Sequence, residues 1–414
     1  MNEYVLTTAH KAKEASYTLA RMNGAEKDRA LSLVIEALRE KREIILSENA
    51  ADVALAKQNG LSAAMTDRLT LTAKRFDAML ATIDDVIRQH DPVGAYTEIK
   101  RRDDGLLIGK MRAPIGVVFV IYESRPTVTV DAFALSFKSG NAVILRGGSE
   151  AIKSNTAIMK AIKTGLKKAG VAEHAASMVE HTDRALIADF GKLTKHIDVI
   201  IARGGEALIN YVQAESRVPV ICHDKGICHV YIEKDAEKHE AIAIAVNAKV
   251  DRPGVCNAME ALLINKDFPH TKEMLDALAA KGVALRGCSR TKAIMPSVAD
   301  ATAEDWDTEY LDLILSVKMV DGIADAISHI NRHGSHHTDA IVTRDIALAE
   351  RFKGEIDSAV VMVNASTRLS DGGEFGLGGE IGISNQKLHV RGPMGLVDLT
   401  TLKYVVMGAG HIRG

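Results

Sequence analysis

Two successive doubly wound α/β domains behind an N-terminal helical layer are the architecture this 414-residue sequence predicts. Three observations carry that prediction. Apolar β-rich runs alternate with helical stretches from Ile115 to Val363, the first ninety or so residues show no strand-like alternation, and two of the apolar runs end in Gly-Gly turns that open helices. Continuous apolar strands of this kind are buried on both faces, as in parallel sheets whose crossover helices cover each side.

From the N-terminus, Gly24, Gly60 and Asp91-Pro92 punctuate long Ala/Leu/Lys/Glu stretches and predict helices over residues 2 to 90. Asp103-Asp104-Gly105 then separates Tyr96–Arg102 from Leu106–Met111, a hairpin signal in an exposed, charged arm. Gly116–Ile121, Ala142–Leu145, Ser177–Glu180, Ile197–Ile201 and Val218–Ile221 predict the strands of the first parallel sheet. Val230–Ile232, Ala261–Ile264, Val283–Leu285, Leu313–Val317, Ala340–Val342 and Ala359–Val363 predict those of the second. Asp398–Met407 reads as a terminal strand, expected to pair with the charged hairpin of another subunit.

Composition narrows the function classes. With 52 basic and 54 acidic residues, there is no broad electrostatic footprint for nucleic acid or an anionic membrane. No run approaches the roughly 18 apolar residues of a spanning helix, and Met1–Thr8 lacks the basic and apolar regions of a signal peptide, so a cytoplasmic location is expected. Cys222, Cys228, Cys256 and Cys288 are too few for a disulfide scaffold and are expected to be thiols.

Chemistry concentrates in three places. Arg252-Pro253-Gly254-Val255-Cys256-Asn257 follows an amphipathic helix, with Ile242, Ala245, Val246 and Lys249 at three-to-four spacing, and precedes a strand beginning at Glu260. A thiol on such a loop, near Lys249 and Arg252, suits a nucleophile; a packed, inert Cys suits the same local sequence. The second place is Arg146-Gly147-Gly148-Ser149, echoed by Arg203-Gly204-Gly205-Glu206. Two such turns on one parallel sheet fit a nucleotide crevice at its carboxyl edge, although either alone is an ordinary tight turn. Third, Ser124-Arg125-Pro126 either presents Arg125 to a carboxylate or phosphate, or starts a helix capped by Ser124. His329, His333, His336 and His337 have no Cys or acidic partner at a recognised spacing, so no metal is expected. Gly372–Glu380 is either a closing loop or a surface connection.

Six ordered segments, Tyr122–Pro126, Lys138–Asn141, Leu145–Glu150, Arg203–Gly205, Asp251–Asn257 and Glu374–Gly378, resemble the gamma-glutamyl phosphate reductases, a branch of the aldehyde dehydrogenase superfamily. Residues from Val320 to Asp339 resemble that family's signature. The resemblance implies an aldehyde dehydrogenase-like α/β fold: an NADP-binding domain over 1–95 and 112–228, a catalytic domain over 229–383, and a small β oligomerisation element from 96–111 and 384–414. It implies NADPH-dependent reduction of L-glutamyl 5-phosphate in proline biosynthesis, a homo-oligomer (dimer or tetramer), and a functional association with glutamate 5-kinase.

By the same resemblance Cys256 is the nucleophile with Asn257 beside it. Arg146, Gly147, Gly148, Ser149, Arg203, Gly204 and Gly205 contact the cofactor, Arg146 at the adenosine ribose and Glu309 at the nicotinamide ribose. Ser124, Arg125, Lys249, Arg252, His329 and His337 are the expected substrate contacts; charge and position, and not the resemblance, suggest that Lys249 and Arg252 offset charge on the departing phosphate and that Arg125 holds a substrate carboxylate. Two departures from the wider superfamily stand out. His223-Asp224-Lys225-Gly226 lies where a water-activating glutamate is otherwise found, and Ser124 lies where an oxyanion asparagine is. A missing base suits an enzyme that must hand its thioester to hydride and not to water. The Cys256 backbone N–H and the Asn257 side chain remain as oxyanion donors.

Overall fold

The computed structural model describes residues 2–222 and 225–413. Helices occupy most of Glu3–Arg88, and their starts follow from capping residues: Asn2, Asn23, Ser62 and Thr72 each accept a backbone N–H two or three positions on. Asn23 and Glu26 cap each other's backbone reciprocally. Among the described residues no helix is long and apolar enough to cross a membrane.

The chain divides into two units, Met1–Cys222 with Gly376–Gly382 and Met394–Gly414, and His223–Phe375 with Ile383–Pro393. In the first unit a hairpin, β1 (Tyr96–Arg101) and β2 (Leu107–Pro114), precedes β3 (Val117–Ile121), β4 (Ala142–Arg146), β5 (Ala176–Met178), β6 (Val199–Ala202) and β7 (Val220–Ile221). Gly105 turns the hairpin at φ +91°, a conformation that favours glycine. Strands β3 to β7 pair in parallel in the order β5-β4-β3-β6-β7. Every residue of β3, β4, β5 and β6 is buried, and apart from Arg146 and Ser177 these strands are apolar throughout. The winding reverses between β3 and β6, so the carboxyl ends of these two strands flank the sheet's switch point.

The second unit holds β8 (Cys228–Ile232), β9 (Met259–Asn265), β10 (Ala284–Gly287), β11 (Ala299–Asp300), β12 (Ile314–Val320), β13 (Thr338–Val342) and β14 (Val360–Val363). They pair in parallel in the order β11-β10-β12-β9-β8-β13-β14. Alternate residues serve opposite cores. Val230, Ile232, Leu262 and Ile264 pack with Met274, Leu275 and Leu315 on one face, whereas Tyr231 and Leu263 pack with Ile327, Ile341 and Phe352 on the other. Each large apolar side chain so buried contributes about 1.5–3 kcal/mol.

A short pair, β15 (Ile383–Ser384) and β16 (Gly392–Pro393), follows, and β17 (Thr400–Met407) ends the order. The terminal strand corrects one expectation: it runs antiparallel to β2 of its own chain, from Thr400 opposite Pro114 to Met407 opposite Leu107. The hairpin and β17 together make a three-stranded sheet of their own, in the order β1-β2-β17. Full-length pairing with β2 holds β17 in the first unit, whereas 383–393 goes with the second.

Candidate active site

Cys256 owes its position to the end of a helix and the start of a strand. The helix Lys238–Val250 buries Ala241, Ala245 and Ala248 and stops at Asp251; β9 begins three residues beyond the thiol. Between them the loop carries Cys256 half-buried. Its backbone is held from below. The Cys228 thiol donates to the Cys256 carbonyl at 3.2 Å, and burial pushes that thiol up, so it stays protonated and able to donate. Of the two sulfurs, the buried one is the inert donor and the half-buried one is the accessible group.

Gly226 closes the packing. A Cβ there would lie 2.1 Å from the Cys256 carbonyl oxygen and 2.6 Å from its Cα, so only glycine lets the two backbones meet. Gly226→Ala must displace the loop, and a misplacement of about 1 Å costs on the order of 100-fold in rate. Steady-state kinetics on the folded variant should show kcat reduced by at least about tenfold, with cofactor affinity little changed. The Gly226 N–H donates to Glu309 Oε1 at 2.9 Å, which places the expected ribose contact one residue's packing from the nucleophile. His223 and Asp224, where the water-activating glutamate is missing, lie outside the described residues.

Several expected contacts take other roles. Lys249 is fully buried, its ammonium 2.6 Å from the equally buried Glu260 carboxylate, so it offers no cation to a departing phosphate. Burial pulls the Lys249 ammonium down and pushes the Glu260 carboxyl up to about 7 despite the pairing. The Glu260 Oε1 also accepts from Leu311 N at 3.1 Å, tying this pair to the turn that carries Glu309. Asn257 is buried, with its carboxamide engaged at both ends: the NH2 donates to the Ser370 carbonyl at 2.9 Å and Oδ1 accepts from Arg368. That engagement makes it a brace for the loop.

His337 is fully buried, its Nδ1 2.9 Å from Thr338 Oγ1 and 3.7 Å from Cys228 Sγ, so it packs behind the inert thiol and does not face substrate. His329 is buried against Trp306 and His229 and accepts from Lys318 Nζ at 3.1 Å. Burial pulls its pKa down to about 2, leaving a neutral ring. Arg252 does stand exposed at the head of the loop, with no ion pair to any described residue.

In the first unit the expected turns do converge on one sheet edge. Glu123 and Ser124 follow β3, Gly147 and Gly148 follow β4, and Arg203–Gly205 follow β6. Ser124 does not cap the helix Pro126–Lys138, whose N-cap is Arg125. Instead its N–H and hydroxyl both donate to Glu150 Oε1, at 2.8 and 2.6 Å, and the hydroxyl is thereby withdrawn from an oxyanion. The Glu150 carboxylate folds over the glycine turn, where a Cβ on Gly148 would lie 2.1 Å from it. Arg146 is only 8% exposed and donates to the Thr182 carbonyl at 3.2 Å. Gly205, the N-cap of the helix Glu206–Glu215, has open space where a Cβ would stand.

Comparison with known proteins places these units in a wider setting. The aldehyde dehydrogenase family model matches residues 2–310. A gamma-glutamyl phosphate reductase from Thermotoga maritima is 43% identical, with 99% of this chain and 100% of that one covered and a TM-score of 0.96. The corresponding reductase of Saccharomyces cerevisiae is 32% identical over 100% and 99% of the two chains, with a TM-score of 0.55. An acetylating aldehyde dehydrogenase from Geobacillus thermoglucosidasius shares the fold at 17% identity, covering 100% and 98%, with a TM-score of 0.73.

Proposed function

The chain belongs to the aldehyde dehydrogenase family, in its gamma-glutamyl phosphate reductase branch, and on that premise we propose that its chemistry runs through Cys256. It is an oxidoreductase that converts L-glutamyl 5-phosphate to L-glutamate 5-semialdehyde and phosphate, the second step of proline biosynthesis from glutamate. The observation that carries the residue assignment is the half-buried thiol on a braced loop, beside a second thiol that burial keeps protonated.

The Cys256 thiolate attacks the acyl carbon, forming a C–S bond. The Cys256 backbone N–H stabilises the tetrahedral oxyanion, and as it collapses the C–O bond breaks and phosphate leaves. Arg252, exposed at the loop's start, offsets the charge on that leaving group, and Arg125 holds a substrate carboxylate. When bound, NADPH supplies the hydride that reduces the thioester. Collapse of the reduced adduct then breaks the C–S bond, releasing the aldehyde and restoring the thiolate. Support for a dinucleotide at the first unit's switch-point edge comes from Gly205, a helix N-cap with open space at its Cβ position, although its N–H donates to Glu123 Oε1 at 3.4 Å. Arg146, Gly147, Gly148, Ser149, Arg203, Gly204 and Glu309 are its proposed contacts, with NADPH preferred to NADH.

Exposed Leu402, Tyr404 and Val406 on the edge strand β17 support a homo-oligomer, dimer or tetramer. Acyl phosphates hydrolyse in water, which supports functional association with the glutamate 5-kinase that makes the substrate, in the cytoplasm.

The test follows NADP+ reduction with glutamate 5-semialdehyde, with and without inorganic phosphate. Turnover should depend on phosphate, and kcat/KM should favour NADP+ over NAD+. Phosphate-independent release of free glutamate would instead identify a hydrolytic aldehyde dehydrogenase.

A further inference from the structure

We infer that Arg368 is a positioning residue for the nucleophile, its guanidinium tying the two ends of the Cys256 loop together. This assignment rests on Cys256 being that nucleophile. Arg368 lies in the short turn Thr367–Leu369. Its Nε donates to Asp251 Oδ2 at 3.0 Å, and its Nη1 donates to Asn257 Oδ1. Asp251 caps the helix before the loop, and Asn257 is the last loop residue but one before β9. The two acceptors thus bracket Cys256, and one planar group fixes the span between them.

The brace is itself anchored. Asn257 also holds the carbonyl of Ser370, two residues beyond Arg368, and the buried Ser370 hydroxyl accepts from Thr338 Oγ1 at 2.9 Å. Thr338 opens β13, so the loop is referred through Arg368, Asn257 and Ser370 to the sheet. Only an arginine serves here. A lysine ammonium is a point donor at the end of a flexible stem, whereas the guanidinium sets two donors at a fixed angle. Both of those donors are already committed to the loop, which favours positioning over ligand binding.

The experiment compares wild type, Arg368→Gln, Arg368→Lys and Asp251→Asn in the oxidative direction, with glutamate 5-semialdehyde, inorganic phosphate and NADP+. Both Arg368 variants should lose about 10–100-fold in kcat, with KM for phosphate and for the semialdehyde within about twofold of wild type. Asp251→Asn should lower kcat in the same sense by roughly threefold, and adding it to Arg368→Gln should cost nothing further, since both remove one bridge. A KM for phosphate raised tenfold or more with kcat preserved would overturn the inference by making Arg368 a ligand group, as would an unchanged kcat in Arg368→Lys. If Arg368→Gln does not fold, the kcat of Asp251→Asn decides alone: a loss supports the brace and wild-type turnover removes it. Residual turnover in Cys256→Ala would remove the underlying reading, a result separable from any obtained at Arg368.

Discussion

Cys256→Ala should lower reductase turnover by at least about a thousandfold while leaving NADPH binding intact, because the step removed is formation of the C–S bond itself. Turnover is read by NADPH oxidation and binding by nucleotide fluorescence, so loss of chemistry separates from loss of the site. Cys228→Ser is the informative companion. Cys228 opens β8 and touches the Cys256 carbonyl, yet its buried, protonated thiol donates a hydrogen bond that a hydroxyl can also make. Its variant should keep activity within about tenfold. Should the two results be exchanged, with Cys228→Ser inactive and Cys256→Ala active, the wrong sulfur has been assigned.

Lys249→Ala should destabilise the protein by about 3–5 kcal/mol, the usual cost of leaving one member of a buried ion pair without its partner. Both groups are removed from water, and among the described residues Glu260 keeps only the Leu311 N–H once the ammonium is gone. The loss should depend on pH. A carboxyl whose folded-state pKa lies above its unfolded value favours folding when protonated, and that advantage disappears as pH rises through the folded pKa. Glu260 already sits near 7 with Lys249 present and must move higher without it. The deficit should therefore be smaller at pH 5.5 than at pH 8 in denaturant titrations. Replacing both groups, as Lys249→Met with Glu260→Leu, should recover most of the stability, whereas a double variant as unstable as the single one would show that packing and not charge governs the site.

These two sites also mark the limits of what the sequence discloses. The strands were legible because burial on both faces leaves continuous apolar runs, and the Cys256 loop was legible because Pro253-Gly254 ends a helix just before a strand. Lysine is seldom fully buried, so Lys249, near a nucleophile, reads from the sequence as a solvent-facing cation. Only its pairing with Glu260, eleven positions on and across the loop, reveals otherwise. Serine before Arg-Pro has a helix cap as one of its two local meanings, but Glu150 takes the Ser124 hydroxyl from 26 residues away. Arg368 left no local signal at all, standing 111 positions from the asparagine it holds. The partner of the last strand was equally hidden, since periodicity tells which face a strand buries and not whose hairpin it joins.

The pairing of β17 with β2 has a consequence for how the protein is made. A ribosome delivers Leu107–Pro114 nearly three hundred residues before Thr400–Met407, yet each strand completes the other. During all of that synthesis β2 has one unsatisfied edge, open to pairing with any extended chain nearby. The first unit is consequently the first to be begun and the last to be finished. Its weak point in the cell is that interval, when cleavage between the two strands would leave the hairpin permanently short of a strand.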